Sequence, residues 1–216
     1  MTVPGRREAA RLLRSLDPPP WHLRHASAVA DVAAWLARAI HGQGHRLDVA
    51  LVEAAALLHD VDKALPAAHP ARRLRHGDGS AAWLTALGHP ELAAAVRDHP
   101  VTRLASDEEA ALVAASPLEA RIVAYADKRA GQRLEPMDVR FASWRHRYPE
   151  GPADPVSGLR SGWDDPLAAR VRERAAALEL DVCAAAGVAP GDVRRLRWSV
   201  RALAEASAAG GAAIAS

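Results

Sequence analysis

Three observations predict an all-α fold. Apolar residues recur at helical spacing almost throughout the chain, no run of alternating or β-branched residues reads as a strand, and prolines and glycines interrupt the periodic segments. The first helix reads over about residues 6–16 and stops at Asp17-Pro18-Pro19-Pro20, because proline cannot continue a helix. A second, over about 21–40, ends at Gly42-Gln43-Gly44, and a third, over about 48–59, has Asp48 placed as its N-cap. A polar loop around 66–79 leads to a helix near 80–87 and to another that opens at Pro90, where proline fits the first turn, and ends at Pro100. Helices follow over about 106–115 and 117–130. Residues 131–166 are rich in proline and glycine and carry Trp144, Tyr148 and Trp163; they predict a short helix, about 137–147, and then a long loop of the kind that serves as a lid. Two more helices read over about 166–186 and 190–209. The expected organisation is a helical core over 1–131, a loop-rich candidate lid over 132–165, and C-terminal helices over 166–216 packing on the same domain.

Composition excludes several classes. The chain has 216 residues, 50% hydrophobic and 25% charged, a globular balance rather than a disordered one. The single cysteine, Cys183, excludes a disulfide framework and a Cys-rich zinc site. A net charge of +2 is too near neutral to argue for nucleic-acid binding. No apolar run approaches the roughly 20 residues that cross a bilayer, and the opening MTVPGRREAARLLRSL lacks the apolar core of a secretory signal. A cytoplasmic location is expected, and the composition leaves a homodimer open.

The ten histidines carry the chemistry. Val29, Val32 and Leu36 follow His25 at 4, 7 and 11 residues, so His25 lies on its helix's apolar face. His59 extends a stripe with Val52 and Ala55, and Asp60 stands beside it. Asp127 ends a stripe with Ala120 and Val123. Buried carboxylates are costly unless paired or bound to metal, and one shared cation explains all these inward-facing groups together. Imidazole nitrogen with carboxylate oxygen suits iron, manganese, cobalt, nickel or zinc. His99 continues the stripe of Leu92, Ala95 and Val96, and His76 precedes a helix start; both fit a second metal ion. His22, His41, His45, His69, His89 and His146 show no such pattern and read as surface or loop residues, and Asp31 reads as solvated.

The order His25, His59-Asp60, Asp127, in the contexts RHASAVADVA, LLHDVDK and AYADKR, resembles the HD-domain metal-dependent phosphohydrolase superfamily over about residues 21–131. A lone His-Asp doublet would mean little in so histidine-rich a chain; four residues in order and in helical context mean more. The resemblance implies a helical bundle, here with a C-terminal helical extension, in which His25, His59, Asp60 and Asp127 bind metal. His76 and His99 resemble the extra ligands of the H…HD…H…H…D subgroup, which has two metals, with Asp60 able to bridge them. The chain lacks the GYP element of the cyclic-di-GMP phosphodiesterases. Lys63, four residues after His59, matches the HDxxK form and would hold a phosphate oxygen or protonate a leaving group, with Asp62 to orient it. Arg103, Lys128 and Arg129 lie just beyond predicted ligands and are candidate phosphate contacts. RFASWRHR (140–147) offers three arginines and a Trp that could stack on a base, though a solvated helix face is the simpler reading, as it is for the Arg-rich run 194–201. The expected reaction is metal-assisted hydrolysis of a phosphoester or phosphoanhydride, the partner a small phosphorylated molecule, by family resemblance a nucleotide. The rivals are, within hydrolysis, a 5′-nucleotidase or a dinucleoside polyphosphate hydrolase, and outside it a diiron HD-domain oxygenase and a non-catalytic nucleotide-binding regulator.

Overall fold

A computed structural model describes residues 3–148 and 162–195. These residues form nine α-helices joined by short 3₁₀ turns, with one isolated bridge between Ala130 and Leu134 in place of any sheet. The helices are α1 (Arg6–Arg14), α2 (Pro20–Gly42), α3 (Val49–Leu58), α4 (Asp78–Ala86), α5 (Pro90–Arg97), α6 (Asp107–Ala115), α7 (Leu118–Arg129), α8 (Met137–Arg147) and α9 (Asp165–Ala185). Their boundaries have local causes. Asp48 accepts a hydrogen bond from the Leu51 amide at 3.0 Å and so caps α3; Ser106 and Asp164 do the same for α6 and α9, at 3.2 and 2.7 Å. Pro20 and Pro90 open α2 and α5, where a missing N–H costs nothing.

The core is built around α2, which packs on α3 and α7, while α3 also meets α1 and α5. Val29, Leu36, Ile40, Val52, Leu58, Ile122 and Val123 are all fully buried there. Each such side chain contributes about 1.5–3 kcal/mol by leaving water. Helix α9 lies along α7 and continues the same core through Val171, Ala175 and Val182. No helix among the described residues is long and apolar enough to cross a membrane.

The structure departs from expectation in several places. The stretch after Asp60 and those at 70–73 and 101–104 are 3₁₀ turns rather than loop. Trp144 is 3% exposed and packs edge-on against Phe141 at 5.0 Å, so it belongs to the core and is not free to stack on a base. Asp31 is buried rather than solvated and pairs with Arg6 at 2.6 Å. Residues 149–161 of the expected lid, all of the last helix beyond residue 195 and much of the Arg-rich run lie outside the described residues.

Candidate metal centre

Six residues from five segments meet at one point. His25 comes from α2. His59 and Asp60 follow the last turn of α3. His76 precedes α4, His99 follows α5, and Asp127 sits in the last turn of α7. Apolar stripes carry His25, His59, His99 and Asp127 inward, Asp60 follows His59, and His76 comes from the segment before α4. Gly77 makes one of these approaches feasible: at φ +87° its Cβ would stand 2.3 Å from the Arg97 carbonyl and 2.9 Å from Pro100 Cγ, so only glycine lets the His76 segment lie against the His99 segment.

The hydrogen bonds orient all four imidazoles the same way. Nδ1 of His25 donates to the Gly131 carbonyl at 2.7 Å, that of His59 to Ala56 at 2.7 Å, and that of His99 to Val96 at 2.6 Å. Nδ1 of His76 donates to Asp62 Oδ2 at 2.8 Å. Carbonyl and carboxylate oxygens only accept, so each Nδ1 carries the proton and each neutral ring presents a bare Nε2 inward. These nitrogens converge: His25 Nε2 is 3.1 Å from His59 Nε2, and His76 Nε2 is 3.2 Å from His99 Nε2. Asp60 stands between the pairs. Its Oδ2 lies 3.3 Å from His25 Nε2 and 3.7 Å from His59 Nε2; its Oδ1 lies 3.1 Å from His76 and 3.2 Å from His99. Asp127 Oδ1 closes the first group at 3.3 Å from His25 and 3.7 Å from His59. Two trios, His25-His59-Asp60 and Asp60-His76-His99, thus share Asp60, and each could hold a metal ion.

Such a set of lone pairs satisfies itself only with a cation. With protons as the sole cations, the pattern of charge is strained. Burial opposes charge on His25 and His76, yet hydrogen bonds to Asp127 and Asp60 lift His25 to about 10, and those to Asp60 and Asp62 lift His76 to about 9. Burial drives His99 the other way, down to about 4. Asp60 and Asp127 are held well below the usual carboxylate range, because the surrounding imidazoles, with Lys63 beside Asp60, outweigh their burial. A metal ion in either trio would displace those imidazolium protons. The donor set fits a borderline transition metal.

The basic residues divide. Lys63 Nζ lies 2.8 Å from Asp60 Oδ2 with its side chain 38% exposed, at the open edge of the cluster. Asp62 does not orient Lys63, as expected from sequence; it orients His76 and also accepts from the Gly77 amide at 3.3 Å. The three residues expected as phosphate contacts, Arg103, Lys128 and Arg129, are each engaged by protein groups. Arg103 is buried against Asp78 at 2.7 Å and Glu109 at 2.8 Å. Lys128 Nζ is fully buried and donates to the His99 and Ala124 carbonyls at 2.9 and 3.1 Å; burial lowers it to about 8. Arg129 donates to Tyr125 Oη at 2.8 Å and lies 3.1 Å from Glu179.

Sequence reasoning missed two residues. His22, expected at the surface, is fully buried, stacks on Trp21 at 5.4 Å, and has no hydrogen-bond partner on either ring nitrogen; burial lowers it to about 4. Its spacing held the signal, since it precedes His25 by three residues and so shares that helix face. Arg140, read as part of a solvated face, instead reaches Asp127, with Nη2 3.8 Å from Oδ1.

A family model for the HD domain matches residues 23–131. Comparisons with curated proteins and with solved structures returned no match. The matched span contains all six residues of the cluster, and members of that family are generally metal-dependent hydrolases. With just over half of its length matched, and with two His/Asp trios at the centre of a helical bundle, the chain belongs to the HD-domain family.

Proposed function

We propose that this protein is a binuclear metal-dependent phosphohydrolase acting on a small phosphorylated substrate, a nucleotide by preference. The single observation that carries the reading is Asp60, whose two oxygens face two separate histidine pairs. His25, His59, Asp60 and Asp127 would hold one ion; His76, His99 and the other oxygen of Asp60 would hold the second. Divalent ions held there would lower the pKa of a water toward neutral and would offset charge on phosphoryl oxygens.

The chain's own groups do the rest. The Nδ1 contacts lock each imidazole with Nε2 inward, so the ligand shell is ordered before substrate arrives. Lys63 stays an ammonium, since Asp60 offsets the effect of burial and holds its affinity for the proton above the ordinary lysine value. Partly exposed beside Asp60, it donates to a phosphoryl oxygen or to the departing oxygen.

Elemental analysis beside a phosphate-release screen over mononucleotides and dinucleoside polyphosphates tests the reading. The expected result is about two transition-metal ions per chain and chelator-sensitive phosphate release. His59→Ala should remove metal and hydrolysis together, while Lys63→Ala should impair turnover far more than metal loading. Full activity in metal-free His59→Ala protein overturns the mechanism.

A further inference from the structure

We infer that Arg140, on α8, is a substrate-binding residue that holds a second phosphoryl group beside the one cleaved, so that the preferred substrate carries at least two linked phosphates. The inference rests on the phosphohydrolase reading and sharpens its substrate class.

The surrounding cations make Arg140 distinctive. Lys128 and Arg129 are held by carbonyls, a carboxylate and a tyrosine hydroxyl within the fold; Arg103, whose Nε is also buried without a hydrogen-bond partner, is charge-paired with Asp78 at 2.7 Å and Glu109 at 2.8 Å. Arg140 is not closed in this way. Its Nε is buried with no hydrogen-bond partner, and Nη2 makes one long contact, 3.3 Å, to the Asp127 carbonyl. The guanidinium lies over the Trp144 ring at 4.9 Å, which fixes its plane but satisfies none of its donors. Its side chain is 11% exposed and that of Asp127 is 12% exposed, so both stand at an edge that a small anion can reach.

Electrostatics gives the direction. Among the described residues the one negative partner within reach of Arg140 is the Asp127 carboxylate, 3.8 Å from Nη2. Once Asp127 serves a divalent ion, the guanidinium faces a cation, an arrangement that is unfavourable until an anion comes to lie between them. A phosphate oxygen supplies that anion, and the planar fork suits it. Lys63 already approaches from the Asp60 side. His25 Nε2 is 3.3 Å from both Asp60 and Asp127, so the two basic groups flank the centre from different carboxylates. Two flanking cations match two adjacent phosphoryl groups better than one.

The test uses the full chain reconstituted with metal and checked for metal content. Calorimetric titration with inorganic pyrophosphate and with inorganic phosphate is run on wild type, Arg140→Ala and Arg140→Lys. The expected result is that pyrophosphate binds wild type more tightly than phosphate does. Arg140→Ala should keep its metal and lose ~10–100-fold in pyrophosphate affinity, the effect of one charge-assisted contact, with little change for phosphate. Arg140→Lys should recover only part of the loss. In turnover, Arg140→Ala should raise KM for ADP by a similar factor and leave KM for p-nitrophenyl phosphate nearly unchanged. Equal pyrophosphate affinity in metal-loaded wild type and Arg140→Ala overturns the inference and leaves the phosphohydrolase reading standing. So does a variant that loses metal and melting temperature without selective loss of pyrophosphate, since Arg140 is then a structural cap on α7. Failure of wild type to bind metal at all overturns the underlying reading instead.

Discussion

Two faces of one helix, α7, carry polar clusters of opposite character. On one face Tyr125 and Arg129 meet Glu179 of α9: the tyrosine hydroxyl donates to Glu179 Oε1 at 2.7 Å, and Arg129 donates to the hydroxyl and reaches the same carboxylate. Donors there face acceptors, and the cluster is complete. On the other face Asp127 joins four inward Nε2 atoms and Asp60, and acceptors face acceptors. Burial is similar in the two places; complementarity is not. A buried polar cluster that closes on itself holds a fold together, and one that leaves its lone pairs facing each other calls for a cation.

The sharpest way to break this contrast is to cut each face once. Asp127→Asn should lose bound metal and reduce hydrolysis to background, because it replaces a carboxylate of the His/Asp cluster by a neutral amide. Glu179→Ala should do the reverse, costing about 3 kcal/mol by leaving the buried Arg129 unpaired and sparing metal content. Chemical denaturation and elemental analysis of both variants decide it; metal loss in Glu179→Ala alone would reverse the roles of the two faces.

Metal removal comes next in size. A chelator should lower the wild-type melting temperature, by the equivalent of ~2.7 kcal/mol if metal is present at 100 times its dissociation constant, and should leave Asp127→Asn almost unmoved. An equal shift in both would place the metal elsewhere. Within the acceptor cluster, Asp62 tests whether the two trios are separable. Asp62→Asn weakens the acceptor that fixes His76, and should reduce affinity for one of the two ions by ~10–100-fold, read as a change from two binding phases to one strong and one weak phase.

The smallest effect concerns a third, closed cluster. Glu109 accepts from Arg75 and Arg103, and Arg75, the stronger influence, helps hold its carboxyl down at about 2 against an ordinary 4.5. A depressed carboxyl contributes stability that is fully present above about 4.5 and lost as the pH falls toward 2. Glu109→Gln should therefore flatten the acid limb of the stability curve between those values and leave neutral-pH activity alone. An unchanged acid limb would show that this exposed pair contributes nothing.

The legible part of the molecule was what local pattern encodes. The helical period delivered the all-α class, and the prolines, glycines and capping residues delivered the element boundaries: α8 runs over Met137–Arg147 as expected, and α3 follows its Asp48 cap. His25, His59, His99 and Asp127 were legible as candidate ligands because each lies on an apolar stripe, Asp60 as the neighbour of His59, and His76 from its place before a helix start and in the H…HD…H…H…D order. What stands opposite a residue was not legible. Lys128 and Arg129 are neighbours of Asp127 in sequence, which suggested a common phosphate role; the structure turns one to the His99 carbonyl and the other to Glu179, 50 residues away.

The sequence by itself determined which faces of which helices point inward and which residue types ride on them, because helix periodicity is a local property of the chain. Tertiary structure alone decided which inward faces meet. It set Asp60 between two histidine pairs, gave Asp62 to His76, sealed His22 away with its ring nitrogens unbonded and brought Arg140 to Asp127. Those pairings depend on how helices far apart in sequence pack, and helical spacing carries no information about the surface on the other side.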